Sequence, residues 1–124
     1  MSDWIGKTKT SIGAGGEQAA VDYLQKNGYE ILKKNYRTCG VEIDLVAQKD
    51  DIVCFIEVKT RGSEDFGLPE EYVDFRKRKR IIRGARVFLA RKTYADARVR
   101  FDIISVVHQG KNPTIHHIED AFEA

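Results

Sequence analysis

Two runs rich in β-branched and apolar residues, Val41 to Gln48 and Ile52 to Lys59, flank the short polar stretch Lys49-Asp50-Asp51. Such runs favour extended backbone, and aspartate tolerates the conformations of a tight turn. The pair therefore predicts a β-hairpin, and a hairpin fixes which side chains can meet. Side chains alternate faces along a strand. Strict alternation puts Val41, Ile43, Leu45 and Ala47 on one face of the first strand, and Glu42, Asp44 and Val46 on the other. On the second strand Ile52, Cys54, Ile56 and Val58 share a face, opposite Val53, Phe55, Glu57 and Lys59. A turn centred between Asp50 and Asp51 sets Asp44 across from Glu57 and Glu42 across from Lys59. Directly opposed residues have Cβ atoms about 4.5–5.5 Å apart.

The remaining elements follow from periodicity and breakers. From Gly13 to Asn27 the apolar residues Ala20, Val21 and Leu24 recur at helical spacing, and Asn27-Gly28 supplies a stop. Tyr29 to Tyr36 reads as a short strand. Thr60 to Pro69 reads as a loop, residues 70–92 as a helix with a Phe75/Ile82/Leu89 stripe widened by Ile81, Ala85 and Phe88, and Arg100 to Val107 as another strand. Gly110 to Pro113 is expected to turn into a last short strand, Thr114 to Ile118. The order α-β-β-β-α-β predicts an α/β fold, a central mixed β-sheet flanked by helices. A strand–helix–strand segment suits a right-handed parallel crossover. At 124 residues the chain is one domain's worth: residues 1–10 are expected to be poorly ordered and 11–124 to form a single domain.

With 42% hydrophobic residues a core is affordable, so disorder of the whole chain is excluded. No run approaches the ~18 apolar residues of a membrane span. Two cysteines, Cys39 and Cys54, without a leader segment, point to the cytoplasm and reduced thiols. They form no zinc pattern with His108, His116 and His117, and Gly13-Ala14-Gly15-Gly16 lacks the strand and lysine of a phosphate-binding loop. The net charge of +2 conceals a segregation. Glu64, Asp65, Glu70, Glu71 and Asp74 precede a dense basic block holding Arg76, Lys77, Arg78, Lys79, Arg80, Arg83 and Arg86. A block of that density suits a polyanion, although a solvated helix face has the same composition.

Two opposed carboxylates repel unless a positive charge lies between them. A hard divalent cation is one answer, and the nearby Lys59 is another. Glu17 lies on the apolar stripe of the first helix, so its carboxylate points toward the sheet and needs a partner. From spacing alone, the same residues also fit a solvated strand face of cross-strand charge pairs.

Gly16-Glu17, Glu42-Ile43-Asp44-Leu45, Phe55-Ile56-Glu57-Val58-Lys59-Thr60-Arg61, Phe66-Gly67, Lys77, Arg100-Phe101-Asp102 and Ile118-Glu119-Asp120-Ala121-Phe122 occur in that order. Together they resemble the YraN family of bacterial proteins over roughly residues 13–122. That family is similar to restriction-endonuclease-like proteins of the PD-(D/E)XK type, and particularly to archaeal Holliday-junction resolvases. The resemblance implies an αβββαβ core and an Asp…Glu-x-Lys site. Carried over by position, the site becomes Asp44, Glu57 and Lys59, with Glu17 as the helix acid. Val41 stands where the family usually has glycine, with Gly40 one place earlier.

The resemblance implies Mg2+ or Mn2+ held by Asp44 and Glu57, with Glu17 and the Val58 carbonyl assisting. It implies a nucleic acid partner, DNA first, and an endonuclease acting on branched or repair intermediates. Arg61, Lys77, Lys79, Arg80, Arg83 and Arg100 are the candidate phosphate contacts, and a homodimer would supply paired sites. The competing reading is a nucleic-acid-binding module of the same fold without turnover.

Overall fold

The computed structural model describes residues 7–61, 74–109 and 112–124. Its elements run α1 (Lys7–Lys26), β1 (Glu30–Thr38), β2 (Val41–Lys49), β3 (Ile52–Arg61), α2 (Phe75–Leu89), β4 (Arg98–Gln109) and β5 (Asn112–Phe122), with a 3-10 turn at Lys92–Tyr94. The five strands form one mixed sheet in the order β1-β2-β3-β4-β5. The β3–β4 pair is parallel and the other pairs are antiparallel. This is the α/β architecture expected from the element order, with α2 as the crossover.

Several boundaries differ from the sequence reading. α1 begins at Lys7 rather than Gly13, so residues 7–10 are helical; glycines at 13, 15 and 16 hide this stretch from a periodicity argument. α2 opens at Phe75 rather than at 70, because the Asp74 carboxylate caps the helix by accepting the Lys77 N–H at 2.9 Å. Most of the expected loop, and residues 70–73, lie outside the described residues. β5 is much longer than Thr114 to Ile118, and it takes in Pro113, which an outermost strand tolerates.

Two apolar layers hold the sheet. On one side Ile81, Ala85 and Phe88 of α2 pack on Val41, Ile43, Val46, Val53, Phe55, Phe101 and Ile103. On the other, Ala20, Val21 and Leu24 of α1 pack on Leu45, Ala47, Cys54, Ile56, Ile104 and Val106. The buried stripe of α2 is thus centred on Ile81, Ala85 and Phe88, and Phe75 is left 67% exposed. β3 alternates as expected. β2 does not: Ile43 joins the α2 layer and Leu45 the α1 layer, so alternation breaks at Asp44.

The tight turns have local causes. Gly28 ends α1 with φ of 89° while the Tyr29 N–H reaches back to the Leu24 carbonyl. Cys39 and Gly40 both have positive φ between the paired residues Thr38 and Val41, as a two-residue hairpin loop requires. Both cysteines are free thiols, Cys39 exposed and Cys54 buried. Among the described residues no helix is long and apolar enough to cross a membrane.

Candidate functional site

The expected register holds from Lys49–Ile52 to Leu45–Ile56. Beyond that pair the geometry changes. Asp44 uses its own Oδ2 to accept the Val58 N–H at 2.8 Å. On its other side Asp44 is also skipped: β1 and β2 pair through Lys34–Leu45 and Tyr36–Ile43, with Asn35 between them at φ of 51°. Irregularities of this kind re-aim a side chain out of strict alternation. They bring Asp44 to the cavity that Glu57 also lines, about 560 Å³ between the sheet and the start of α2.

Glu57 is buried and meets two lysines there. Lys77 Nζ donates to Glu57 Oε2, and Lys59 Nζ lies 3.6 Å from the same oxygen. Lys77 sits in the first turn of α2, so the Asp74 cap that fixes the helix start also fixes this contact. Arg76 and Arg80 line the same cavity.

Glu17 enters from α1. Gly16 is packed so closely on β3 that a Cβ there would lie 2.1 Å from Thr60 Oγ1. The glycine therefore lets the helix approach the strand and sets Glu17 beside it. Glu17 accepts a hydrogen bond from Asn35 and feels the charges of Glu42 and Glu57.

The electrostatics reflect this crowding. Burial, then repulsion from Glu57, pushes the Asp44 carboxyl up to about 7, against the opposing pull of the Val58 N–H. Burial also raises the pKa of Glu17, with Glu42 and Glu57 adding to it. Burial and the neighbouring Lys77 ammonium lower that of Lys59. Burial works against the charge on Lys77 too, but the Glu57 carboxylate outweighs it and raises its pKa. Strongly perturbed groups gathered in one cleft are characteristic of functional sites.

The structure thus gathers Asp44, Glu57, Lys59, Lys77 and Glu17 in one neighbourhood. Val58 joins it through its N–H. Arg61 follows Glu57 and Lys59 along β3, with its guanidinium 3.4 Å from Ser105 Oγ. Glu42 faces Arg37 of β1 at 3.7 Å rather than Lys59, because the β2–β3 ladder has already ended. Lys79 and Arg83 lie along another cavity on α2.

Arg100 is placed elsewhere. Its guanidinium grips both oxygens of the fully buried Asp102, at 2.9 Å each, and donates to the Tyr29 hydroxyl at 2.6 Å. His117 Nε2 lies 2.7 Å from Asp102, and its Nδ1 2.9 Å from the Tyr23 hydroxyl. This buried network ties α1, β4 and β5 together. Sequence reasoning missed it; the alternation of Arg100 and Asp102 on one strand was the available signal.

The sequence comparisons can be set against this geometry. Residues 16–106 match the model of the uncharacterised protein family UPF0102. A UPF0102 protein of Trichlorobacter lovleyi is 44% identical over 121 residues, covering 96% of this chain and 95% of its own length. The chain belongs to the UPF0102 family. This is the YraN family that the ordered motifs resemble. Relatives in Geobacter metallireducens and Caldanaerobacter subterraneus are each 43% identical, covering 91% and 92% of this chain and 93% and 96% of their own lengths. The family match spans α1 from Gly16 through most of β4, so it includes Glu17, Asp44, Glu57, Lys59 and Lys77.

Donor chemistry decides whether the cavity suits a cation. Among the described residues no group of three or more His, Cys, Asp or Glu side chains is arranged to hold a metal ion as it stands. Four acids line the cavity, Glu42, Asp44, Glu57 and Asp74, and within it Asp44 and Glu57 form a pair whose repulsion adds to burial in raising the proton affinity of Asp44. A hard, oxygen-seeking divalent cation fits such a pair. The Lys77 and Lys59 ammonium groups are those with which it would compete at Glu57.

Proposed function

We propose that this UPF0102 protein is a Mg2+- or Mn2+-dependent endonuclease hydrolysing phosphodiester bonds in DNA, with branched or repair intermediates as substrates. The observation that carries the reading is the convergence of Asp44 and Glu57 on one cavity edged by Lys77, Arg76 and Arg80. Asp44 and Glu57 are the residues to hold the cation, with Glu17 adding negative charge. When bound, the cation would neutralise phosphate charge and acidify a water molecule.

The chain's own groups account for the rest. Arg76 and Arg80 attract the phosphate backbone without reading sequence. Lys59, 3.6 Å from Glu57, would orient the attacking water, which gives its proton to solvent as its oxygen bonds to phosphorus. Lys77 is poised to stabilise charge that builds on the phosphate as the bond to the leaving sugar oxygen breaks. That oxygen finally takes a proton from solvent, so the hydrolysis balances.

A second reading, nucleic-acid binding without turnover, is favoured by the Lys77–Glu57 ion pair, which already neutralises one carboxylate. Incubating the protein with branched, flapped and linear DNA plus Mg2+ or Mn2+ separates the two. Cleavage by the wild type that is lost in Asp44→Ala and Glu57→Ala is the expected result. Equal cutting by all three proteins would refute the site, and binding without cutting would favour the second reading.

A further inference from the structure

The opposite flank of α2 from the carboxylate cavity carries features that the proposed chemistry does not use. Phe75 is 67% exposed, the largest value among the large hydrophobic residues described; Val87 and Val99 follow at 41% and 40%. A phenyl ring left in water forfeits burial worth about 1.5–3 kcal/mol.

Phe75 opens a long groove. One cavity of about 740 Å³ is lined by Phe75, Lys79, Ile82, Arg83 and Phe122. A second, of about 440 Å³, extends it past Leu89 to Val99. The two share Ile82, Arg86 and Phe122, so they form one channel between α2 and the end of β5.

The channel alternates flat apolar surface with cations. Lys79 Nζ lies 4.5 Å from the centroid of the Phe75 ring. The Arg78 guanidinium lies 5.5 Å from that of Phe122. Lys79, Arg83 and Arg86 edge the channel, and all three are exposed. Asp120 and Glu123 are the acids that line it, and both stand across from the helix at the end of β5. Negative charge on a ligand is therefore drawn toward α2 and away from these acids. From Phe75 to Arg86 the helix advances about 16 Å at ~1.5 Å per residue.

We infer that this channel binds single-stranded nucleic acid, with an unpaired base stacked on Phe75 and the backbone phosphates on Lys79, Arg83 and Arg86. Charge complementarity selects a polyanion. The exposed aromatic ring selects one whose flat bases are free to leave a stack, which a duplex does not offer. The inference rests on the nucleic-acid reading of the carboxylate cavity and deepens it. Because Phe75 and Lys77 share the first turn of α2, a strand that leaves the channel around the N-terminal end of the helix is directed toward the flank where Lys77 meets Glu57. The substrate class is then DNA with a single-stranded segment beside the bond to be cut.

The test measures fluorescence anisotropy of labelled oligo(dT) and of a duplex of equal length, with wild type, Phe75→Ala, Phe75→Trp and Arg83→Glu/Arg86→Glu. Stacking of one base on an aromatic side chain corresponds to a loss of about 5- to 160-fold. The ratio of single-strand to duplex affinity is expected to fall by that factor in Phe75→Ala and to be retained in Phe75→Trp. The double charge reversal should lower oligo(dT) affinity and flatten its salt dependence. Thermal melting of each variant reports folding, and an exposed phenyl can be truncated without opening the core.

An unchanged ratio in a folded Phe75→Ala overturns the inference. So does sedimentation showing a dimer that Phe75→Ala dissociates while oligo(dT) binding persists, which would make the channel a contact between copies of this chain. Either result leaves Asp44-dependent cleavage standing. Loss of that cleavage dependence with the ratio effect intact would instead refute the catalytic reading alone.

Discussion

Replacing Asp44 by asparagine should make the metal-free protein more stable while removing its activity. Asparagine keeps an oxygen to accept the Val58 N–H and removes the charge. The wild-type carboxyl is pushed up from 3.8 to about 7, first by burial and then by Glu57. At about 1.4 kcal/mol for each pH unit, such a displacement sets an upper bound of roughly 4 kcal/mol on the cost of ionising it in the folded state. Solvent entering the open cavity screens part of this, leaving about 1–4 kcal/mol. The sign follows from a folded-state pKa raised above the unfolded one. The penalty is absent below about pH 4, grows as pH rises, and is complete above about pH 7.

Urea unfolding in EDTA should therefore show Asp44→Asn gaining about 1–4 kcal/mol over wild type at pH 8 and almost nothing at pH 4. Saturating Mn2+ should narrow or invert that difference by stabilising wild type, since a hundredfold excess over the dissociation constant contributes about 2.7 kcal/mol. An Asp44→Asn protein less stable than wild type at pH 8 by 1 kcal/mol or more would refute the reasoning. It would make Asp44 a structural anchor instead of a charge held in readiness.

Asp102→Ala should act in the opposite sense, costing about 3–5 kcal/mol in urea unfolding at pH 7, because it leaves Arg100 and His117 without their buried partner. Burial opposes the Asp102 charge, but His117, Arg100 and the Asp120 N–H outweigh it and hold the carboxyl below its ordinary range. Its contribution is thus present above about pH 4 and lost as pH falls further, so wild type should lose stability in acid more steeply than the variant. Gly16→Ala should destabilise by about 1–3 kcal/mol despite the usual helix preference for alanine, since its Cβ would press on Thr60. Adding Thr60→Ala should restore part of that loss, and a Gly16→Ala protein as stable as wild type would refute the close helix–strand approach.

How much of this was legible in the sequence depended on whether a feature is periodic. The β2–β3 register could be placed because the turn at Asp50-Asp51 has an evident centre, and the alternation of Glu57 and Lys59 on β3 held. On α2 the apolar face of Phe75, Ile82 and Leu89, widened by Ile81, Ala85 and Phe88, is legible as a whole, and tertiary packing buries its Ile81, Ala85 and Phe88 side most deeply. The position of Asp44 was reached for a reason that strict alternation does not supply. A left-handed Asn35 and an interrupted ladder are single-residue events, and period-2 reasoning averages over them. Lys77 is visible in the sequence as part of the basic block and as a family position; its contact with Glu57 depends on where the Asp74 cap starts the helix. The pairing of Arg100 with Asp102 is not legible because a charged residue on a strand does not declare whether it faces solvent or a buried acid.

The interruption at Asn35 and Asp44 has a consequence for variation. A side chain near the carboxylates can change and leave the others aimed as they are. Inserting or deleting a single residue in β1 or β2 cannot, because it would move the left-handed kink off Asp44 and return that carboxyl to the regular pleat. The stringent constraint on this part of the molecule is one of count, so drift in length should be tolerated in the segments between elements and punished within these two strands.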